Sequence, residues 1–205
     1  MNKTKVGVIG NGFVGEAISF AFSSIAEMYI YDTDPSRCLN NIESVHNCDF
    51  VFVCVPTPMF QDGSQDLSYV ESSFEKATET PIYILKSTVL PGTTEKLQKQ
   101  YPSLKIIFSP EFLTERNAEK DYDNQERIIL GGPRPATSDV KNIFTKVFPN
   151  AHIIKTGSTH AEMIKYFTNC FLATKVAFAN EFYQICSKLN LDYDFNFLTV
   201  AQWGP

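Results

Sequence analysis

A glycine-rich segment near the start of the chain has the residue types and spacing needed to hold a dinucleotide. It follows a β-branched run and consists of Gly10, Asn11, Gly12, Phe13, Val14 and Gly15. In this pattern the first glycine permits a tight turn, the second lets the backbone approach a pyrophosphate, and the third lets helix and strand pack closely. The N–H groups at the start of the following helix then face the phosphates. We therefore predict that this segment binds a dinucleotide.

Two charged residues further along bear on which dinucleotide is bound. Asp32 comes 22 residues after Gly10, at the end of the second predicted strand. At that distance an aspartate accepts hydrogen bonds from the adenosine ribose hydroxyls, and it would repel a 2′-phosphate. The pattern therefore favours NAD over NADP. Arg37 lies close by in the sequence, and we include it among the predicted cofactor-binding residues. Because an arginine can accommodate a 2′-phosphate, NADP stays open as the cofactor.

A second pair of polar residues lies much later in the chain, within an apolar segment. Lys165 and Asn169 are four residues apart in a region predicted to be helical. At this spacing both side chains project from one face of a helix and can converge on one ligand group. Because the residues around them are apolar, we favour a functional pair over an ordinary surface pair.

The elements that position these residues follow from the alternation of β-branched runs with amphipathic segments. This alternation is typical of a parallel sheet covered by helices on both faces. The predicted strands are Lys5–Ile9, Met28–Tyr31, Phe50–Val55, Ile82–Lys86, Lys105–Ser109, Arg127–Gly131 and Ala151–Lys155. The predicted helices are Phe13–Ser23, Leu67–Thr78, Gly92–Gln100 and Thr137–Val147. We predict an α/β fold in which a Rossmann-like, doubly wound parallel sheet forms a domain over residues 1–156.

The alternation ends near Gly157, and a long helix is predicted from Thr159 to about Leu189. This stretch contains no proline or glycine and has apolar residues on nearly every face. A helix that is apolar all round must be buried by something else. We therefore predict that residues 157–205 begin an all-α dimerisation domain and that the protein is a homodimer through this helix.

Composition excludes several other classes of protein. The formal net charge is -5, and no long run of Lys or Arg is present, which argues against nucleic-acid or anionic-membrane binding. No apolar stretch is long enough to cross a bilayer, and the first residues lack a signal-peptide pattern, so we expect a cytoplasmic protein. The five cysteines are scattered without metal-site spacing, and we expect free thiols and no bound metal.

Three further segments follow predicted strands, where ligands of doubly wound sheets bind. They are Val55–Pro58 (VPTP), Lys86–Thr93 (KSTVLPGT) and Ser109–Glu115 (SPEFLTE), and the long helix adds Ala161–Asn169 (AEMIKYFTN). In this order the four motifs resemble the UDP-glucose 6-dehydrogenase family, within the wider UDP-glucose/GDP-mannose dehydrogenases. The resemblance covers most of residues 3–190.

The resemblance implies a four-electron oxidation of a sugar C6 hydroxyl to a carboxylate, with two NAD reduced and a thioester formed on a cysteine. It implies that Lys165 stabilises the oxyanion and Asn169 orients the sugar. Glu115 would be the general base for thioester hydrolysis and would also lie near the cofactor.

Three more residues receive roles from the same resemblance. Thr88 would help to position the hydrolytic water, and Glu111 would line the site near sugar or cofactor. Thr57 and Thr88 would border the nicotinamide half of NAD. The expected substrate is a nucleotide sugar, with UDP-glucose as the default because the resemblance is closest there.

The chain departs from the family in two places. The family's nucleophile lies in a G-G-x-C-F-P-K-D segment beyond the long helix, and this segment does not occur here, so we expect the cysteine beyond Pro205. Family members also insert helical segments between the second and third strands, where this chain has only Pro35–Asn47. Two alternatives stay open: a one-step β-hydroxyacid dehydrogenase with Lys165 as its acid/base, and a non-catalytic NAD-binding or dimerisation module.

Overall fold

The computed structural model describes residues 3–112 and 125–194, and its centre is a seven-stranded sheet. The strands are β1 Thr4–Ile9, β2 Ala26–Tyr31, β3 Phe50–Val53, β4 Ile82–Leu85, β5 Lys105–Phe108, β6 Arg127–Gly131 and β7 His152–Thr156. Their order across the sheet is β2-β1-β3-β4-β5-β6-β7. The predicted α/β, doubly wound fold is confirmed.

The predicted parallel sheet contains one antiparallel pair of strands. β6 runs antiparallel to β5, through the single residue pair Phe108 and Gly131, whereas the other neighbouring strands are parallel. Strand composition indicates burial on both faces but does not encode the direction of the strand. The direction depends on whether the connection crosses back over the sheet, which residue types do not report.

Helices cover both faces of the sheet. In residues 3–112 and 125–194 the helices are α1 Phe13–Phe22, α2 Ile42–Val45, α3 Ser68–Ser72, α4 Thr93–Gln100, α5 Arg134–Val147 and α6 Ser158–Leu189. On one face α1 and α5 contribute Phe22 and Phe144 to an apolar cluster with Phe52. On the other face α2 and α4 contribute Val45 and Leu97 to a second cluster. Because side chains alternate along a strand, β1 to β6 each contribute residues to both clusters.

Two helices differ from the prediction. The helix expected over Leu67–Thr78 is regular only from Ser68 to Ser72. Ser72 and Ser73 both donate their hydroxyls to the carbonyl of Tyr69, and such bonds compete with a continuing helix. The short helix α2 was not predicted, and it begins where the Asn41 side chain accepts the Ser44 N–H.

The chain divides into two compact units, Met1–Lys165 and Tyr166–Pro205. The predicted domain boundary at residues 156 and 157 stays a prediction. In the second unit α6 exposes large apolar side chains, including Phe167 at 72% and Phe178 at 64%. Phe178 packs against Phe182 with ring centroids 4.7 Å apart.

In the residues that the structure describes, no helix is long and apolar enough to span a membrane.

Candidate active site

The carboxyl ends of β1 to β5 border a cavity of about 810 Å³ in the first unit. The segments that follow these strands line it. In sheet order they contribute Asp32 after β2, Gly10 after β1, Thr57 after β3, Thr88 after β4 and Glu111 after β5, and α6 adds Lys165. Ligands of doubly wound sheets bind at this edge, and cavities of several hundred Å³ are typical of cofactor sites.

The glycine segment forms the turn between β1 and α1. Gly10 has φ +90°, and a Cβ there would lie 2.8 Å from the carbonyl oxygen of Cys54. A Cβ at Gly15 would lie 2.1 Å from the carbonyl oxygen of Gly10, whereas nothing lies within 4 Å of a Cβ at Gly12. Gly10 and Gly15 are therefore required by the packing of the chain itself. Gly12 leaves open space at the start of α1, which fits the close approach of a pyrophosphate.

Asp32 holds this turn in place. Its Oδ2 accepts the Asn11 N–H at 2.6 Å, and its Oδ1 accepts the Asp34 N–H at 2.8 Å. The Asn11 amide in turn donates to the Arg37 carbonyl at 3.0 Å. Each carboxylate oxygen keeps a second lone pair that can accept a ribose hydroxyl. Asp32, Arg37, Phe13 and Val14 also line the cavity.

The loops after β3 and β4 are joined by hydrogen bonds. Thr57 Oγ1 donates to the Thr88 carbonyl at 2.7 Å, and Gln65 Nε2 donates to the same oxygen at 2.7 Å. Ser87 Oγ donates to the Val55 carbonyl at 2.7 Å. These bonds fix both threonines in the wall of the cavity, beyond the glycine turn.

Buried charges occupy the far end of the cavity. Lys86 Nζ lies 3.1 Å from Glu111 Oε2, and the two side chains are only 3% and 7% exposed. Lys165 Nζ donates to the backbone carbonyl of Glu111. Burial lowers the pKa of Lys165, and the Lys86 charge lowers it further, while Glu111 opposes the change. A lysine with a lowered pKa is suited to hold a proton near a reacting oxygen and to release it.

Glu162 anchors the first turns of α6 and so positions Lys165. It is fully buried, and its Oε2 accepts the Gly92 N–H at 2.6 Å. Its Oε1 accepts both the N–H and the hydroxyl of Thr94, at 2.8 and 2.6 Å. The carboxylate thus satisfies free N–H groups at the start of α4, where a negative charge is favourable. Sequence reasoning assigned no role to Glu162. The available signal was an acidic residue among apolar helix residues, which could have indicated a buried carboxylate.

Two of the predicted site residues lie outside the part of the first unit that the structure describes. Glu115 lies outside the described residues, and Asn169 belongs to the second unit, four residues beyond Lys165 on α6. Gly15 packs against the glycine turn itself. Lys86 and His46 line the cavity although sequence reasoning gave them no role.

Cysteines and metal-binding groups add nothing to this site. All five cysteines are free, and Cys54 is the one on the cavity wall. Burial raises the pKa of the Cys54 thiol to about 12, which makes it a poor nucleophile. Within the described ranges, no group of His, Cys, Asp or Glu residues could hold a metal ion.

The fold and the glycine turn define a dinucleotide-binding domain of the doubly wound class. Residues 36–151 match the model of the NAD-binding domain of the UDP-glucose/GDP-mannose dehydrogenase family, and residues 159–197 match the model of its central domain. The chain therefore belongs to the UDP-glucose/GDP-mannose dehydrogenase family, and its NAD-binding domain is the cavity-bearing sheet.

Individual relatives are similar over most of this chain. It is 34% identical over 160 residues to the UDP-glucose 6-dehydrogenase of Rickettsia bellii, covering 73% of this chain and 37% of that protein. It is 29% identical over 231 aligned positions to UDP-glucose 6-dehydrogenase TuaD of Bacillus subtilis, covering 92% and 50%. A solved UDP-glucose dehydrogenase from Pyrobaculum islandicum superposes with a TM-score of 0.85 at 28% identity, covering 97% and 56%. The chain thus spans about a third to a little over half of these relatives.

Proposed function

We propose that the complete protein is an NAD-dependent nucleotide-sugar 6-dehydrogenase that oxidises the C6 hydroxyl of UDP-glucose to the carboxylate of UDP-glucuronate. The observation that carries the proposal is the buried cluster of Lys86, Glu111 and Lys165 in the same cavity as the glycine turn. Charged groups in a water-poor site beside a dinucleotide are suited to stabilise charge on an alcohol oxygen. The names of the relatives favour UDP-glucose as the sugar nucleotide.

Conversion of an alcohol to a carboxylate removes four electrons and adds one oxygen from water. Bound NAD supplies the hydride acceptor, so two NAD are reduced for each sugar acid formed. Lys165 Nζ would turn from the Glu111 carbonyl to the substrate oxygen and stabilise its negative charge. Thr88 would hold the hydrolytic water. The family resemblance supports two further roles. Glu115 would be the general base that activates this water, and Asn169 would orient the sugar.

On the family resemblance, the oxidation to the acid is proposed to pass through a thioester on a cysteine. Cys54 borders the cavity, but its raised pKa keeps it protonated at neutral pH. We infer that the nucleophilic cysteine is supplied by residues outside this sequence, in keeping with the greater length of the relatives.

We further propose that the complete protein is a homodimer through α6. The support is the row of large apolar side chains that the second unit exposes. Sedimentation at micromolar concentration is expected to give twice the monomer mass, and a stable monomer would contradict the proposal. A cytoplasmic location stays a prediction from the sequence.

The function is tested by substituting Lys165 in the complete protein. Lys165→Met is expected to lower kcat by about 100- to 1,000-fold, because a preorganised charge at the reacting oxygen is lost. NAD affinity, measured by calorimetry, should change little. Lys99→Met, at an exposed position in the last turn of α4, is the matched control and should retain full activity. Equal kcat for both variants would reject the role of Lys165.

The stoichiometry separates this function from its alternatives. Two NADH for each sugar acid support the proposal, whereas one NADH per product would indicate a one-step β-hydroxyacid dehydrogenase. The family match already favours the sugar-nucleotide reaction over that alternative. NAD binding without turnover of any nucleotide sugar by the complete protein would indicate a non-catalytic module.

A further inference from the structure

A buried histidine in the cavity wall has one ring nitrogen without a partner. His46 follows α2, is only 1% exposed and lines the cavity. Its Nδ1 lies 3.1 Å from Tyr83 Oη. Its Nε2, on the opposite edge of the ring, is shut off from solvent and has no hydrogen-bond partner in residues 3–112 and 125–194. An unsatisfied buried polar atom is costly, so a ligand that supplies the missing bond is favoured.

The contacts of Tyr83 favour one assignment of the proton on the His46 ring. Tyr83 Oη has one proton and two lone pairs. It donates to the Thr78 carbonyl at 3.2 Å and accepts the Thr78 N–H at 3.0 Å. The remaining lone pair can accept, and we assign the Nδ1 proton of His46 to it. With this assignment Nε2 is an acceptor that a donor from a ligand would satisfy.

The surroundings of the ring also favour its neutral form. Burial lowers the pKa of His46, and the Lys76 charge acts in the same direction, while Glu43 opposes them. Lys76 and Glu43 pair with each other at 2.7 Å at the surface. A neutral imidazole keeps the Nε2 lone pair free to accept a hydrogen bond.

The order of the strands indicates which part of a dinucleotide lies beside His46. Asp32 ends β2, at the flank of the sheet, and in such folds this position binds the adenosine ribose. The buried Lys86 follows β4, two strands beyond β1, towards the other end of the cavity. His46 lies in the connection from β2 to β3 and shares the cavity wall with Arg37 and Ile42 of the same connection. The base attached to that ribose therefore lies on the His46 side.

We propose that His46 Nε2 accepts a hydrogen bond from the 6-amino group of the adenine of bound NAD and thereby selects adenine over hypoxanthine. This inference rests on the proposed function in one respect, the use of NAD. In hypoxanthine a carbonyl oxygen replaces the amino group. Two acceptors would then face each other at Nε2, and both would be left without a proton.

Calorimetry with the purified protein tests the proposal with two dinucleotides. NAD is expected to bind about ten-fold or more tightly than nicotinamide hypoxanthine dinucleotide. His46→Asn places an amide N–H where Nδ1 donates to Tyr83 and deletes Nε2. This variant is expected to lose about ten-fold in NAD affinity and to bind both dinucleotides alike. Equal binding by the unmodified protein, or a preference that persists in the variant, overturns the proposal.

Nitrogen-15 NMR of the histidine ring gives a second readout that does not depend on a folded variant. In the free protein, Nε2 of His46 should resonate as an unprotonated nitrogen, and NAD should shift it more than the hypoxanthine analogue does. A protonated Nε2 would overturn the proposal. No NAD binding at all would contradict the cofactor assignment and this inference together, whereas NAD binding without discrimination would contradict the role of His46 alone.

Discussion

The two ends of the cavity are built in different ways. At the Asp32 end, the segment Gly10–Gly15 provides backbone N–H groups and open space, and Asp32 holds the turn through two backbone N–H groups. At the other end, side-chain charges dominate, because the buried ammonium group of Lys86 pairs with Glu111 and Lys165 contacts the Glu111 backbone. One end depends on backbone conformation and the other on buried charge.

This difference predicts different responses to substitution. Added atoms should damage the backbone-built end, since its glycines lie against other backbone atoms or leave space for a ligand. Removed charges should damage the other end, since each buried ion there depends on its partner. Substitutions at the glycine end should therefore change NAD affinity. Substitutions at the charged end should change the pH dependence of the reaction.

The largest expected effect is at the charged end. Lys86→Met removes the cation that faces the buried Glu111 carboxylate at 3.1 Å. Loss of one partner of a buried ion pair is expected to lower the free energy of unfolding by about 3–5 kcal/mol. Chemical denaturation measures this change. The double variant Lys86→Met/Glu111→Gln should recover part of it, and an additive loss would show that the two side chains do not stabilise each other.

The same substitution should change the pH profile. Lys86 lowers the pKa of Lys165, while Glu111 raises it. Without Lys86, the pKa of Lys165 should therefore rise, and the alkaline limb of kcat should move to higher pH. A shift to lower pH would contradict this account of the charges.

The glycine turn offers a paired test at the other end. Gly15→Ala brings a Cβ to 2.1 Å from the Gly10 carbonyl oxygen and is expected to lower stability by about 3 kcal/mol, together with NAD affinity. Gly12→Ala meets nothing within 4 Å and should leave thermal unfolding unchanged. It should still weaken NAD binding, because the methyl group occupies the space that the pyrophosphate needs. Full NAD affinity in Gly12→Ala would contradict this position of the phosphates.

The two ends of the cavity also differ in how much of each could be predicted from the sequence. The glycine turn and Asp32 depend on local spacing, so the sequence alone indicated a dinucleotide site. The ion pair of Lys86 and Glu111 depends on the adjacency of β4 and β5, and the contact of His46 with Tyr83 joins residues 37 apart. No local pattern encodes such pairs. The direction of β6 is likewise not encoded locally, since it is set by a connection and not by residue type.

The smallest expected effect is at Glu162, which joins the charged end to the scaffold. In Glu162→Gln an amide group replaces one carboxylate oxygen, so an N–H donor faces either the Gly92 N–H or the Thr94 N–H and hydroxyl. We expect a loss of about 1–2 kcal/mol in the free energy of unfolding. Because the first turns of α6 are then held less rigidly, Lys165 is positioned less well, and kcat should fall while NAD affinity is unchanged. Glu79→Gln, at an exposed position before β4, is the control. Equal losses in the two variants would mean that Glu162 does not position Lys165.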